Sequence, residues 1–216
     1  MNRKDEIASA LAHVQSEVLI YSPTLIVVTK TYPLSDVEIL HELGVRDFGE
    51  NRDDEGVAKS QIQGRWHYQG AIQSQKIRSI TNWADVIHSL DDPRHGAKID
   101  RIARELEKKV DVFLQLSLDG DPSRGGVVES ELFSLAEEAQ EWPAIELAGI
   151  MCVPPVEWEA ERAFSEIARI HRNFVGNFPD SPSLSAGMSG DYMTALAHGA
   201  THIRVGSKIL GERAHR

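Results

Sequence analysis

The stretch TLIVVT at residues 24–29, followed directly by Lys30, decides how the rest of the chain is interpreted. Its residues are apolar or β-branched with no polar alternation, which is typical of a strand buried on both faces. Residues 35–38 (SDVE) then have the form of a capping box, and the apolar stripe that follows stops at Gly44, a residue suited to the position just after a helix. The stretch therefore predicts a strand followed by a helix, with Lys30 between them.

The same alternation of strand and helix recurs along the whole chain. Seven further strands are predicted at residues 45–49, 65–70, 85–90, 110–117, 146–151, 183–187 and 202–206. Eight strand-then-helix units predict an α/β fold, a closed (β/α)8 TIM barrel in one domain spanning 1–216. An extra helix precedes the first strand, with an apolar face at Ile7, Leu11, Val14 and Val18. An open doubly wound sheet is the alternative, but it would carry a glycine-rich turn where this chain has Lys30 to Pro33.

Composition excludes several classes of protein. With 33 acidic and 23 basic residues the formal net charge is −10, which disfavours binding to nucleic acid. A single cysteine, Cys152, excludes an internal disulfide framework and fits a reducing compartment, so we expect a cytoplasmic protein. No stretch has the character of a signal peptide or a membrane span, and we expect no membrane partner and a monomer.

Lys30 is the first candidate for chemistry. At the end of the opening strand it lies at the carboxyl-end mouth of a barrel, where the working residues of this fold gather. Desolvation by the apolar strand lowers the pKa of an amine, which makes it a better nucleophile towards an aldehyde. A solvated lysine at the start of a loop is the alternative.

Two segments near the end of the sequence predict an anion site. Residues 185–191 (SAGMSGD) close the seventh strand with glycines that admit an anion and with Ser189 placed to donate and to cap a helix. Residues 203–207 (IRVGS) follow the same plan ahead of a short last helix. The loops after strands seven and eight are the recurrent phosphate site of β/α barrels, and closure puts strand eight beside strand one. A phosphate is therefore expected next to Lys30. Ordinary turns are the alternative for each glycine-serine pair.

Arg204 lies just before the second of these loops. A phosphorylated aldehyde that carries a pyridine ring, as pyridoxal phosphate does, could present its ring nitrogen to the Arg204 guanidinium. The nitrogen would then stay unprotonated, because arginine does not give up a proton. The ring would then be a weaker electron sink. Pairing with one of the many carboxylates is the alternative.

The motifs resemble those of a known family. The matching stretches are 27–31 (VVTKT), 47–51 (DFGEN), 66–68 (WHY), 73–76 (QSQK), 184–191 (LSAGMSGD) and 203–206 (IRVG). Their order and spacing resemble the pyridoxal phosphate homeostasis proteins, the YggS-like group related to the amino-terminal barrel of alanine racemases. The chain departs from that pattern at Gln75, Ala186 and Ser207, and none of these positions touches Lys30.

The resemblance implies pyridoxal 5′-phosphate (PLP) as the cofactor and a set of residues that bind it. Lys30 would form the internal aldimine, Arg204 would face the pyridine nitrogen, and Ser189, Gly206 and Ser207 would help to hold the phosphate. The predicted cofactor-binding set is Lys30, Asn51, His67, Ser185, Met188, Ser189, Arg204, Gly206 and Ser207. No catalytic residue and no metal ligand is predicted.

The related racemases carry a second domain with a tyrosine base, and we expect none here. Two-base racemisation needs a group on each face of the cofactor, and only Lys30 is clearly placed on one of them. The prediction is therefore a PLP carrier or buffer without robust turnover, with PLP-dependent apoenzymes as further partners by resemblance.

Three alternative functions remain open, as do the roles of one loop segment and of the cysteine. One enzyme is a PLP-dependent racemase or lyase that uses His67 or Tyr68 as the second base, and the other is a cofactor-free Schiff-base aldolase. A pure interaction module is a third possibility. The segment Arg124-Gly125-Gly126 is interpreted as a turn, with an anion contact as the alternative, and the role of Cys152 is left open.

Overall fold

Strands and helices alternate along the described residues, 2–212, of the computed structural model. The strands are β1 Thr24–Val28, β2 Asp47–Glu50, β3 Arg65–Tyr68, β4 Val86–Leu90, β5 Val110–Leu116, β6 Ile145–Cys152, β7 Ser183–Met188 and β8 His202–Val205. The helices are α1 Arg3–Val18, α2 Leu34–Glu42, α3 Asp53–Lys59, α4 Ile77–Trp83, α5 Pro93–Glu105, α6 Glu129–Gln140, α7 Ala160–Asn177, α8 Tyr192–Ala197 and α9 Ser207–Leu210.

All these strands are parallel and close into one barrel. Each pairs with its neighbour in the sequence, and β8 returns to pair with β1. The predicted TIM barrel is confirmed, and the predicted strand ends differ from the observed ones by at most two residues. Closure removes the sheet edges, so every strand has a hydrogen-bonded neighbour on each side. Among residues 2–212, no helix is both long and apolar enough to cross a bilayer.

The extra helix α1 is present as predicted. Its four predicted apolar residues are buried, and the helix packs against α2 and α9. Asn2 caps its first turn by accepting a hydrogen bond from the Asp5 N–H. Arg3 extends from the same turn to the carboxylate of Asp36, with Nη2 2.5 Å from Oδ2. Helix α1 is therefore part of the outer helical layer.

The predicted capping box before α2 is wrong. The helix begins at Leu34 with Pro33 in the cap position, so Ser35 lies inside the first turn and makes no cap bond. Pro33 has a φ of −69°, which leads directly into a helix, and it lacks an N–H that would need an acceptor. The end of α2 is as predicted, because Gly44 follows it with a φ of +92°.

The strands separate an aromatic outer layer from the barrel interior. Phe48 and Trp66 stack with ring centroids 5.0 Å apart, and Trp83 of α4 meets Trp66 and Tyr68 edge-on. Because side chains alternate along a strand, the neighbours of these aromatic residues face the barrel axis. His67, between Trp66 and Tyr68, is one of them.

A bulge interrupts the pairing of β5 with β6. Val112 pairs with Leu147 and Phe113 pairs with Gly149, so that Ala148 is passed over. Gly149 has a φ of +154°, and a Cβ added there would lie 1.8 Å from the carbonyl oxygen of Ser183 on β7. Glycine is therefore required at this position both by its backbone conformation and by the approach of β7.

Candidate functional site

Lys30 lies at the carboxyl-end rim of the barrel. It is half-buried in a turn two residues beyond the end of β1. Pairing of Val27 with Val205 brings the ends of β1 and β8 together. Gly206 then packs so closely on β1 that a Cβ there would be 3.0 Å from the carbonyl oxygen of Val28. The Lys30 turn and the loop after β8 therefore meet at one rim.

The loops after β7 and β8 are joined by a hydrogen bond. The Gly206 N–H donates to Ser189 Oγ over 3.2 Å. Ser189 makes no cap bond to α8, whose cap position is held by Asp191, so the predicted capping role of Ser189 is wrong. Ser207 begins α9, in which Ile209 and Leu210 donate to the Gly206 carbonyl, whereas the N–H groups of Ser207 and Lys208 have no acceptor within the helix. Hydroxyl and N–H groups thus gather beside the Lys30 turn.

Thr29, which precedes Lys30, is held by a buried ion pair that sequence reasoning missed. The Lys59 ammonium of α3 donates to the Thr29 carbonyl and to Glu50 Oε1, each over 2.8 Å. The Thr29 hydroxyl also donates to Glu50 Oε1 over 2.5 Å. Both charged side chains are buried, and burial raises the pKa of Glu50. Burying a charge costs less when the charge is paired and hydrogen-bonded, and Glu50 and Lys59 are both.

Thr31, which follows Lys30, is held by the same group of charges. Its N–H donates to Glu55 Oε2 over 2.6 Å, and Lys59 donates to that same oxygen over 2.8 Å. Thr31 has a φ of +70°, an unfavourable conformation for a β-branched residue. We name Glu50, Glu55 and Lys59 the Lys59 cluster. It fixes the backbone on both sides of Lys30.

Arg204 of β8 is buried and carries its charge without an ion pair. Its Nη1 donates to Ser185 Oγ over 2.8 Å, and its Nη2 donates to the carbonyl of Cys152 over 3.2 Å. In the described part of the chain no carboxylate oxygen lies within 4.0 Å of the guanidinium nitrogens. Burial lowers the pKa of Arg204 to about 10. The structure therefore does not show the carboxylate pairing that the sequence left open.

Polar side chains continue from Ser185 through the barrel interior. Ser185 Oγ lies 2.9 Å from His88 Nδ1, and His88 Nε2 lies 2.9 Å from His67 Nδ1. His67 Nε2 in turn lies 3.1 Å from Asp47 Oδ1. His88 also stacks on Phe113, with ring centroids 4.5 Å apart. Burial lowers the pKa of both histidines, so both rings are neutral near pH 7.

His202, half-buried at the start of β8, should make the fold sensitive to acid. Burial lowers the pKa of His202 from 6.5 to about 4, so between these values the unfolded chain binds a proton that the folded chain does not. The free energy of unfolding should therefore fall as the pH drops from 6.5 to 4, by up to roughly 3 kcal/mol from His202 alone. Urea unfolding at several pH values in this window measures the slope. His202→Gln should flatten it and the exposed control His13→Ala should not; equal slopes in all three proteins would contradict this assignment.

Comparison with known proteins gives the family. The model of the alanine racemase N-terminal domain matches residues 3–214. A pyridoxal phosphate homeostasis protein of Corynebacterium glutamicum is 41% identical over 201 residues, covering 89% of this chain and 91% of that protein. The chain belongs to the pyridoxal phosphate homeostasis protein family. The resemblance inferred from the motifs is confirmed.

A solved structure of similar sequence has the same fold. PipY of Synechococcus elongatus, without PLP, is 32% identical with a TM-score of 0.89, covering 95% of this chain and 100% of that one. PipY with PLP bound is 31% identical with a TM-score of 0.87, at the same coverage. The barrel described above is thus shared with PipY.

The other side of the mouth holds a cavity of about 540 Å³. Gln69, Asp91, Gln115, Arg124 and Met151 are among its lining residues. A turn covers residues 122–124, so that the predicted turn contains Arg124, while Gly125 and Gly126 follow it with positive φ. The Arg124 side chain donates to Asp119 and to the carbonyl of Val153. Arg124 is therefore held both by its own loop and by the loop after β6.

Gln69 was not singled out by sequence reasoning. Its Nε2 is buried and has no hydrogen-bond partner among the described residues. It lies near Gly49, where an added Cβ would be 2.8 Å away. Strand alternation could have identified it, because Gln69 lies two residues after His67 and its side chain is therefore expected on the same side of the sheet.

The predicted site residues occupy two levels of the barrel. Six of them lie at the carboxyl-end rim, at or just after the end of a strand: Lys30, Asn51, Met188, Ser189, Gly206 and Ser207. His67, Ser185 and Arg204 lie in the interior, joined through His88. Among the described residues, no group of three or more His, Cys, Asp or Glu side chains could hold a metal ion. Cys152 contributes its carbonyl to Arg204, and burial raises the pKa of its thiol to about 12.

Proposed function

We propose that this protein holds pyridoxal 5′-phosphate as a Schiff base on Lys30 and acts in intracellular PLP homeostasis as a carrier or buffer. The observation that carries the proposal is the meeting of the Lys30 turn with the loops after β7 and β8 at one rim, with Arg204 beneath. The names of the relatives and the PLP bound in PipY support it.

The residues at the rim fit this cofactor. The Lys30 amine would condense with the aldehyde with loss of one water. Ser189, Gly206 and Ser207 would hold the phosphate. A side chain at position 206 would press against the Val28 carbonyl of β1. Bound PLP would supply an electrophilic aldehyde and an electron-withdrawing ring.

Arg204 fits the ring nitrogen. Two of its donors are used by Ser185 and Cys152 in the described part of the chain, whereas a guanidinium carries five N–H groups. A buried cation gains from every further acceptor it can reach. An arginine there would leave the ring nitrogen unprotonated and weaken the electron sink, which suits a carrier better than carbanion chemistry.

The two residues considered as a second base are poorly placed for that role. The Tyr68 hydroxyl faces the helical layer, donates to the Ala71 carbonyl over 2.8 Å, and has a pKa raised by burial to about 12. Both ring nitrogens of His67 are engaged, by His88 and Asp47. These contacts support carriage without robust turnover.

The remaining predictions belong to the same proposal. Asn51 and Met188 would line the pocket, Asn51 half-buried after β2 and Met188 exposed at the end of β7. The protein would work in the cytoplasm as a monomer, with residues 1–216 as one PLP-binding domain. PLP-dependent apoenzymes would receive the cofactor.

Reductive trapping tests the proposal. Purified protein is incubated with PLP, reduced with borohydride and digested, and mass spectrometry locates the phosphopyridoxyl group. We expect it on Lys30; an adduct confined to another lysine would contradict the site. Assays with single amino acids are run in parallel. Steady turnover that depends on Lys30 would favour a racemase or lyase, and trapping of a sugar phosphate without PLP uptake would favour the aldolase.

A further inference from the structure

A chain of hydrogen-bonding side chains crosses the barrel interior from β8 to β2. Its members, which we name the interior chain, are Arg204, Ser185, His88, His67 and Asp47. Each lies within 3.1 Å of the next, measured between the bonding atoms. Four of them are buried, whereas the Asp47 side chain is 29% exposed. The interior chain, with one residue from each of five strands, therefore links the candidate cofactor site to solvent.

The Arg204 end of the interior chain fixes the direction of its hydrogen bonds. A guanidinium can only donate, so Ser185 Oγ accepts from Arg204. The single hydroxyl proton of Ser185 is then available for His88 Nδ1, which must be unprotonated to accept it. A neutral His88 therefore carries its proton on Nε2 and donates to His67 Nδ1. By the same reasoning His67 carries its proton on Nε2.

The Asp47 end requires the same direction. A carboxylate can only accept, and Asp47 Oδ1 faces His67 Nε2, the nitrogen that carries the proton. In the opposite arrangement the lone pair of His67 Nε2 would face the carboxylate, and Ser185 would lose its acceptor in the chain. The donor at one end and the acceptor at the other thus select a single arrangement of protons.

We propose that Ser185 and His88 are positioning residues, which hold the Arg204 guanidinium in the orientation that meets the cofactor ring nitrogen. This positioning role rests on the proposed binding of PLP, whereas the direction of the hydrogen bonds in the interior chain does not. Ser185 holds Nη1 and the Cys152 carbonyl holds Nη2, so two points fix the plane of the guanidinium. His88 holds Ser185 in turn and is itself fixed by its stack on Phe113.

The direction of the interior chain is tested without PLP. Nitrogen-15 NMR of histidine-labelled protein reports which ring nitrogen carries the proton. We expect His67 and His88 both as neutral Nε2–H tautomers at pH 7.5. An Nδ1–H tautomer at either histidine would overturn the inferred direction.

The positioning role is tested with PLP bound. Ser185→Ala removes an acceptor from a charged donor, so the rate of PLP release should rise by about 10-fold and the visible absorption maximum should shift. Ser185→Thr keeps the hydroxyl and should restore both values, while Ser183→Ala, on the same strand, should leave both unchanged. Release rate and spectrum equal to wild type in Ser185→Ala would overturn the role.

A second variant covers the case in which Ser185→Ala does not fold. His88→Phe keeps the ring stacked on Phe113 and removes both nitrogens, and it should change release and spectrum in the same direction. No change in a folded His88→Phe protein would count against the proposal. If wild-type protein takes up no PLP, the proposed function and the positioning role both fail, and the NMR result still decides the direction of the chain.

Discussion

Replacement of Lys30 by alanine is expected to abolish covalent attachment of PLP while leaving the fold intact. Lys30 is half-buried in a turn outside the strands, and the Lys59 cluster holds its neighbours through the Thr29 carbonyl and the Thr31 N–H. The borohydride-stable adduct should fall from about one per chain to background, because the neighbouring Lys59 ammonium is buried in its ion pairs with Glu50 and Glu55. Mass spectrometry of the reduced protein and the visible absorption band measure the loss.

Lys208→Ala is the matched control for this variant. Lys208 lies in α9 beside the same loops, and it pairs with Glu17 and the Tyr192 hydroxyl on the outer side of the barrel. The adduct should stay on Lys30 in that protein. A covalent adduct of undiminished yield in Lys30→Ala would contradict the assignment of Lys30 as the attachment site.

The largest effect on stability is expected for Gly149→Ala. The added Cβ would lie 1.8 Å from the carbonyl oxygen of Ser183, in a backbone conformation with a φ of +154°. Relief requires β6 and β7 to separate at the bulge, and a strand cannot move alone in a closed barrel. We expect a loss of more than about 4 kcal/mol in the free energy of unfolding, measured with urea, or failure to accumulate folded protein.

Gly176→Ala provides a control of the same chemistry. Gly176 lies near the end of α7 with nothing within 4 Å of the position of its Cβ. Alanine favours helix more than glycine does, so this variant should gain up to about 1 kcal/mol. Similar free energies of unfolding for the two variants would show that the close contact between Gly149 and Ser183 does not exclude a side chain at position 149.

Much of the fold could be predicted from local sequence. A buried parallel strand is an apolar run, and runs such as 24–29 are visible without knowledge of their neighbours. The start of α2 was misplaced because a capping box and Pro33 compete within three residues, and the proline sets the backbone first. The glycine requirement at position 149 depends on β7, which no local pattern contains.

The candidate site could be predicted only where a strand end implies it. Lys30 and the loops at 189 and 206 follow from barrel closure. The interior chain joins residues as far apart as His88 and Ser185, 97 positions, and its members look like isolated polar residues in apolar strands. The Lys59 cluster was missed because a lysine on a helix is usually solvated. Its burial depends on how α3 packs against the barrel.

The Lys59 cluster bears on what happens after the cofactor has left. Because Thr29 and Thr31 are tied to α3 by bonds that involve no ligand, we expect the turn between them to keep its shape whether or not anything is attached to Lys30. An emptied protein would therefore be ready to reload at once, without first reordering its backbone. Refilling would then require free aldehyde but no folding step.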